Sequence, residues 1–400
     1  MTDPLNLSKI DLANLNLNPT YLHMHFDNNV KSRFSFDIDK ISWSNFFISK
    51  LSVNREDDTY IYTADRKYHY LIYTYLIIRL PEIKCKGKAE ARWTYNVGLN
   101  IVKSAFLTFN NESSVQKLDD VWLNIYNQYF IPNNKRDLFN VDEGWKTYIP
   151  AITLTIPQPW YYSKDDTLAL PLFLCKTNTF THRYIFRNLS ELLRIKVDGE
   201  EVSYSPDYIE QVTIPTPEMW GKYVFIDDNE IKFIVTNPSV YMVDDIVKLM
   251  DGDIYTTGQS INVDINTGSY PCKALFWVAE EETCRQRRIY SIYYSSNNDN
   301  PFKTAKIMYG PHERIAELPI QHYERIEAWY HYPGYPTTPG YNTISWSFQP
   351  ASGKCDNSII YNGAKLVLRL KDDLIGRYRI YVYALITKML TFEEDKCVMD

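Results

Sequence analysis

Residues 155–174 constrain the fold more than any other segment of the chain. They begin with a proline-aromatic corner around Pro157 and Pro159, and their only charges lie in a short turn, Lys164–Asp166. An apolar stretch, Thr167–Phe173, follows and predicts a strand. Proline fixes φ and lacks an N–H group, so it suits corners and sheet edges rather than central strands. The segment therefore predicts a locked corner of a β-sandwich and contains no pair of residues suited to catalysis.

The rest of the chain is also typical of an all-β protein. It has 400 residues, of which 15% are aromatic, with 33 Tyr against only 14 Gly. Aromatic side chains fit the half-buried surface of a sheet, and Tyr also suits large protein interfaces. Many short strand patterns separated by turn signals favour sandwiches. We predict two tandem eight-stranded antiparallel jelly rolls with a few short helices in loops: an arm over 1–24, then jelly rolls over 25–204 and 205–400.

Several individual elements are predicted by periodicity. Apolar residues at helical spacing predict a helix over Leu118–Tyr129 and a short one over Val243–Met250. Strands are expected at Ile231–Val235 and Ile326–Tyr330. Glu280–Gln321 is mostly polar, and we expect a long loop there with one short strand.

Charge and cysteine content exclude some classes of protein. The net charge is −6 and no block of Lys or Arg occurs, so we expect no sequence-specific binding of nucleic acid. The six cysteines are scattered without a CxxC pair, which indicates neither a zinc module nor a disulfide framework. Neither a signal peptide nor a transmembrane stretch is evident, so synthesis in the cytoplasm is expected.

One pair of histidines is spaced as metal ligands could be. His23 and His25 lie on the same face of a predicted strand, and a two-domain cupin enzyme has a comparable pair of sandwiches. The Gly before the pair and the Glu after it that such a site requires are both missing. We therefore expect no catalytic residue, metal or cofactor. A metal-dependent bicupin enzyme and a carbohydrate-binding double sandwich remain as alternatives.

Four blocks in order resemble one family. Trp93, Asn96 and Gly98 follow the pattern W-x-x-N-x-G, and the corner at 159–172 follows a Pro-aromatic turn that leads into L-A-[IL]-P-L. The third block, 270–277, resembles H-P-[VCT]-K-x-[LI]-x-W with Tyr270 in place of His, and the fourth, 340–353, resembles a block that ends in Q-P-S-G, with Ala351 as an interruption. The chain thus resembles the double jelly-roll major capsid proteins of double-stranded DNA viruses, a group that covers nucleocytoplasmic large DNA viruses, virophages and polinton-like elements.

This resemblance implies a structural role rather than an enzymatic one. It implies homotrimers, seen as pseudo-hexagonal capsomers, that tile an icosahedral shell in the virion, with minor capsid or penton proteins and an internal viral membrane as further partners. A scaffold protein of immature virions with the same fold is the alternative. The structural or interface candidates that the four blocks supply are Trp93, Gly98, Pro159, Trp160, Tyr161, Leu168, Pro171, Trp277, Gly340, Phe348, Pro350 and Gly353.

Overall fold

The computed structural model of the chain describes residues 24–26, 46–110, 113–139, 141, 144–226, 228–236, 239–268, 270–351, 355–357, 363–393 and 396–399. These residues belong to two compact units. The first unit comprises the described residues of Lys31–Val243, Glu282–Ile292 and Met389–Asp400. The second comprises those of Met1–Val30, Asp244–Glu281 and Tyr293–Lys388.

The first unit is built on two antiparallel sheets. One has the strand order Ile152–Pro157, Tyr70–Leu80, Glu218–Val224 and Phe46–Lys50, with Leu170–Pro171 also paired to Tyr70–Leu80. The other has the order Ser52–Glu56, Thr59–Thr63, Phe180–Phe186, Val102–Phe109 and Ser113–Asp119. Smaller sheets join Glu200–Val202, Leu193–Val197 and Ala89–Trp93, and Tyr148–Ile149 with Ile83–Lys84.

A polar contact joins these two sheets inside the first unit. Tyr162 Oη lies 3.1 Å from Thr74 Oγ1 of one sheet and 2.7 Å from His182 Nε2 of the other. All three side chains are buried. The sheets therefore face each other across a core, as in a sandwich.

The second unit is also a sandwich. One of its sheets has the strand order Ser239–Thr256, Arg377–Glu393, Cys272–Glu281 and Asn342–Ser345. Residues 239–243 and 389–393 of these strands count with the first unit, as does Lys396–Met399, which pairs with residues 390–393. The other has the order Ser260–Asp264, Ala364–Leu370, Phe302–Tyr309 and His312–Pro319, and Met24–Phe26 pairs separately with Cys355–Asn357. Leu275 and Trp277 of the first sheet share one apolar core with Ile307 and Leu366 of the second. The prediction of tandem antiparallel jelly rolls is confirmed.

The boundary between the two jelly rolls, placed between residues 204 and 205 from the sequence, stays a prediction. Glu218–Val224 pairs with Tyr70–Leu80 and Phe46–Lys50 in a sheet of the first unit. One passage of the chain between the two compact units lies after Val243.

The helices are short, and only some were predicted. The described α-helices are Val97–Asn100, Asp120–Tyr129, Leu189–Leu192, Asp228–Thr236, Glu282–Gln286 and Glu327–His331, with a π-helix at His322–Ile326. Short 3₁₀-helices cover Asn133–Phe139, Tyr161–Ser163, Asp166–Leu168 and Leu172–Leu174. Asp120–Tyr129 confirms the predicted helix, and it begins where Asp119 Oδ1 accepts a hydrogen bond from the Trp122 N–H at 2.8 Å. None of the described helices has the length and apolarity that crossing a membrane requires.

Four predictions of individual elements are wrong. Ile231–Val235 lies in the helix Asp228–Thr236, and the residues predicted as a helix at Val243–Met250 lie in the strand Ser239–Thr256. Ile326–Tyr330 is helical rather than extended. The polar region Glu280–Gln321 contains the hairpin strands Phe302–Tyr309 and His312–Pro319. In Val243–Met250 and in the hairpin, pairing with neighbouring strands overrides the weak local preference.

The corner itself is less regular than predicted. Of the predicted strand Thr167–Phe173, only Leu170 and Pro171 form strand pairs, with Leu71 and Tyr70, and 3₁₀ turns precede and follow them. The charged turn has a local function, because Asp165 Oδ1 accepts a hydrogen bond from the Thr167 N–H at 2.9 Å. Proline at the edge of the sheet explains why the strand stays short.

Candidate assembly surface

The second unit carries a group of exposed apolar side chains. Ile326, Trp329 and Tyr330 lie on the helical segment His322–His331 and are 48%, 73% and 73% exposed, and Phe348 is 74% exposed. His331 Nδ1 lies 3.3 Å from the carbonyl oxygen of Phe348, so the helix and the 348 loop meet. These four residues are called the aromatic surface below. Exposed apolar groups of this kind mark sites of protein interaction.

A buried carboxylate fastens the helical segment to the sandwich. Glu324 Oε1 accepts hydrogen bonds from Asn300 Nδ2 at 3.0 Å and from the Gly340 N–H at 2.9 Å. Asn300 Nδ2 also donates to Asn342 Oδ1 at 2.8 Å. Because all these groups are buried and paired, they hold the segment in one position.

Glu327 makes a second connection from the same segment. Its Oε2 accepts a hydrogen bond from the Ser345 N–H at 3.1 Å, which joins the helix to the strand Asn342–Ser345. His322 Nε2 and His331 Nε2 lie 3.3 Å and 3.7 Å from its two carboxylate oxygens. Three of the four residues of the aromatic surface therefore lie on a helical segment that two carboxylates, Glu324 and Glu327, fasten to the sandwich.

Gly340, a candidate from the sequence, has both a special backbone conformation and a close neighbour. Its φ is +100°, a region that favours glycine, and a Cβ there would lie 2.1 Å from the carbonyl oxygen of Tyr293. Tyr293 in turn packs edge-on against Tyr341, with ring centroids 5.1 Å apart. No side chain fits at position 340.

Trp277 lies in the core beneath this region. It is fully buried, packs edge-on against Tyr323 at 5.3 Å, and its carbonyl accepts a hydrogen bond from Asn342 Nδ2. The same strand contains Lys273, a fully buried lysine whose Nζ lies 2.5 Å from Asp244 Oδ1. Trp277 and Gly340 are thus brought together through Asn342, since its Nδ2 also donates to the Gly340 carbonyl at 3.1 Å.

The candidates of the first unit lie mostly inside it. Trp160 is fully buried, with its ring 5.6 Å from His182 and 6.1 Å from Tyr184. The Tyr161 N–H donates to Gln116 Oε1 at 2.9 Å, which ties the corner to the strand Ser113–Asp119. These contacts give the corner a framework role within one unit.

The remaining candidates are dispersed. Trp93 ends the strand Ala89–Trp93, Gly98 lies in the helix Val97–Asn100, and both are buried, as are Leu168 and Pro171. Pro159 is half-buried and Pro350 is buried. Two predicted features lie outside the described residues. They are Gly353 and residues 1–23 of the arm, which include His23.

Sequence reasoning missed a buried ion cluster in the first unit. Asp120 Oδ2 accepts a hydrogen bond from Arg187 Nη2 at 2.8 Å and lies 3.1 Å from Arg285 Nη2. Burial alone would raise the pKa of Asp120, but Arg285 and Arg187 outweigh it and hold this pKa below its usual value. The three residues are far apart in sequence, so their contact could not be predicted. The one available signal was an acidic residue, Asp120, in the first turn of the predicted helix.

His182 is another buried ionisable group of this unit. Burial lowers the pKa of His182 from its usual 6.5 to about 3, so the ring is neutral at physiological pH. Within the described part of the chain, no group of three or more His, Cys, Asp or Glu side chains is placed to hold a metal ion.

Comparison with known proteins identifies the family. Residues 25–227 match the family model described as major capsid protein N-terminus, and residues 230–374 match the one described as large eukaryotic DNA virus major capsid protein. The chain is 22% identical over 319 residues to the major capsid protein of Simulium iridescent virus, covering 70% of this chain and 66% of that protein. It is 23% identical over 321 residues to that of Wiseana iridescent virus, covering 70% and 65%. The chain thus spans about two thirds of the length of these relatives.

Solved structures agree at the level of the fold. PBCV-1 VP54, as fitted into a reconstruction of the virophage Sputnik, superposes with a TM-score of 0.70 at 15% identity, over 91% of this chain and 98% of that one. The Faustovirus major capsid protein superposes with a TM-score of 0.74 at 7% identity, over 87% and 90%. From the two family matches, together with this fold, the chain belongs to the major capsid protein family of large eukaryotic DNA viruses.

Proposed function

We propose that this chain is the structural subunit of an icosahedral viral shell and that three copies form one pseudo-hexagonal capsomer. The observation that carries the proposal is that a single chain forms two antiparallel sandwiches in tandem, as in the capsid proteins it resembles. Three such chains supply six sandwiches, the number that a hexagonal lattice needs around one axis. The role is architectural and requires no catalytic group.

The aromatic surface supports a contact between copies. Trp, Tyr and Phe bury a large area with few rotatable bonds, which is why aromatic residues are enriched where proteins bind each other. Trp329, Tyr330 and Phe348 are each more than 70% exposed in a single chain. A buried hydrogen-bond network holds the segment beneath them, so little conformational entropy is lost when they are covered.

Further partners follow from the shell role. We propose minor capsid or penton proteins at the lattice edges, and an internal viral membrane, as contacts of the assembled shell. Residence in the virion distinguishes a capsid subunit from a scaffold of immature virions with the same fold. The net charge of −6 does not favour direct recognition of nucleic acid.

The oligomeric state of the purified chain tests the proposal. We expect a trimer by multi-angle light scattering that persists on dilution to micromolar concentration, because stable assemblies of this kind bury more than about 2,000 Å². Negative-stain images should show pseudo-hexagonal particles. A monomer at micromolar concentration, even with an assembly chaperone added, would contradict the proposal.

A further inference from the structure

The first unit contains an apolar cavity. It has a volume of about 540 Å³ and lies between the strands Tyr70–Leu80 and Ile152–Pro157 and the helix Asp120–Tyr129. Its wall is mostly aromatic and aliphatic, with Tyr73, Tyr75, Leu99, Leu123, Tyr126 and Pro157 among the lining residues. Cavities of about 300–1,000 Å³ with apolar walls and few polar groups are typical of small-molecule sites.

One buried acceptor in the wall has no partner. Asn127 is 3% exposed and lines the cavity, and its Oδ1 meets no hydrogen-bond donor among the residues that the structure describes. The other two side-chain amides of the helix are paired: Asn124 Oδ1 accepts from Asn96 Nδ2 at 3.2 Å, and Gln128 Oε1 accepts from Arg136 Nη1 at 3.0 Å. An unpaired buried acceptor costs about 1–3 kcal/mol, so a ligand that pairs it gains affinity.

A second polar group points to the same kind of ligand. Ser163 also lines the cavity, and its buried Oγ has no partner within the described part of the chain. A serine hydroxyl can donate to an oxygen of the ligand while Asn127 Oδ1 accepts from it. The pair therefore suits a hydroxyl group, which both donates and accepts.

One aromatic side chain of the wall, Tyr126, is held in place by its neighbours. Tyr126 stacks on Phe130 with ring centroids 4.8 Å apart and 2° between the planes, and Lys164 Nζ lies 5.7 Å and 5.5 Å from the two ring centroids. A side chain held in this way loses little freedom when a ligand enters.

The buried part of the wall offers no charged partner to a ligand. Lys135 is the charged residue among those that line the cavity, and it is exposed. A carboxylate placed deep in the cavity would meet the acceptor Asn127 Oδ1 instead of a cation. The ligand class is therefore uncharged.

We propose that this cavity binds a small uncharged molecule with an apolar, ring-containing body and one hydroxyl group, which donates to Asn127 Oδ1. The proposal is independent of the shell role, since it rests on the cavity of the first unit alone. It assigns the chain a ligand site in addition to its architectural function.

A matched pair of probes tests it. Isothermal titration of the purified protein, in its native oligomeric state, compares 2-naphthol with 2-methoxynaphthalene, which has the same rings but no donor. We expect saturable binding of 2-naphthol, with an affinity about tenfold higher than that of the ether. Equal affinities, or no binding of 2-naphthol up to its solubility, would overturn the proposal.

Variants locate the site. In Asn127→Leu the preference for 2-naphthol should fall to within about twofold, because the acceptor is gone. Asn262→Leu, the same change at an exposed strand position of the second unit, should keep the full preference. Leu123→Trp should fill the cavity and remove the binding of both probes, with the far-UV circular dichroism and the thermal unfolding midpoint reporting that the fold is kept. A preference that survives in Asn127→Leu would show that the donor is recognised elsewhere and would overturn the assignment.

Discussion

The N–H of Gly340 donates a hydrogen bond to Oε1 of Glu324 at 2.9 Å. The two residues belong to different elements, a loop before the strand Asn342–Ser345 and the π-helix His322–Ile326. The bond lies beneath the aromatic surface, so the backbone of this loop and the position of the exposed aromatic residues are coupled.

Replacing Gly340 with Ala should destabilise the second unit strongly. The new Cβ would meet the Tyr293 carbonyl oxygen at 2.1 Å, and the φ of +100° is itself unfavourable for alanine. Backbone strain and overpacking together should cost about 3 kcal/mol or more. Chemical denaturation followed by tryptophan fluorescence measures this loss.

Gly310→Ala is the matched control. Its φ is also positive, +57°, but no atom lies within 4 Å of a Cβ built there. Strain alone should cost about 1–2 kcal/mol. If both variants lose the same stability, the close approach to Tyr293 has no effect of its own.

The sequence predicted those parts of the fold that local chemistry determines. Asp119 caps the helix Asp120–Tyr129, and the apolar run of Tyr70–Leu80 forms a largely buried strand between two neighbours. Tandem jelly rolls followed from the density of such signals and from the four motif blocks.

The conformation of some segments could not be predicted, because contacts with residues distant in sequence determine it. Val243–Met250 has apolar residues at helical spacing, yet it pairs within a sheet, and Ile326–Tyr330 has strand-forming residues, yet Glu324 and Glu327 fasten it as a helix. The unpaired acceptor of Asn127 could not be predicted either, because an unpaired amide is recognised only when its surroundings are known. Local propensity is a weak guide wherever buried polar groups decide the conformation.

Asp120→Asn should lower the free energy of unfolding of the first unit. It removes the charge that pairs with the buried Arg187 and with Arg285, and loss of one partner from a buried pair costs about 3–5 kcal/mol. Since the pKa of Asp120 is lowered in the folded state, its stabilisation is present above the pKa of the unfolded chain, about 3.9, and is lost as pH falls below it. Denaturant titrations at pH 7 measure the difference.

An exposed ion pair is the comparison for Asp120. Glu56 Oε2 lies 3.0 Å from Arg183 Nη2, and Glu56 is mostly exposed. Glu56→Gln should change the free energy of unfolding by at most about 1 kcal/mol. A similar loss in both variants would contradict the importance of burial.

His182 should make the first unit sensitive to acid. Its folded-state pKa of about 3 lies below the usual 6.5, so the unfolded chain binds the proton first as pH falls. This stabilisation is complete above pH 6.5 and is lost towards pH 3, at up to about 1.4 kcal/mol for each pH unit. Thermal unfolding of His182→Gln between pH 7 and pH 5 should show a weaker pH dependence than the unsubstituted protein.

A second histidine separates this effect from the general response to acid. His312 is exposed on the strand His312–Pro319, so His312→Gln should leave the pH dependence unchanged. If His182→Gln keeps the full pH dependence, other groups account for the acid sensitivity.

Replacing the aromatic surface should weaken self-association without unfolding the chain. Trp329 and Tyr330 are each 73% exposed, so Trp329→Ser with Tyr330→Ser should change the stability of the isolated chain by no more than about 0.5 kcal/mol for each residue. Burial of two aromatic side chains at an interface is worth several kcal/mol, and the double variant should raise the dissociation constant at least about tenfold. Light scattering across a dilution series measures this dissociation constant.

Ile375→Ser, at 74% exposure, is the matched control and should assemble normally. Unchanged assembly of the double variant would exclude this surface as a contact between copies, whereas equal weakening by Ile375→Ser would indicate that exposed apolar area in general, rather than this held aromatic cluster, drives association.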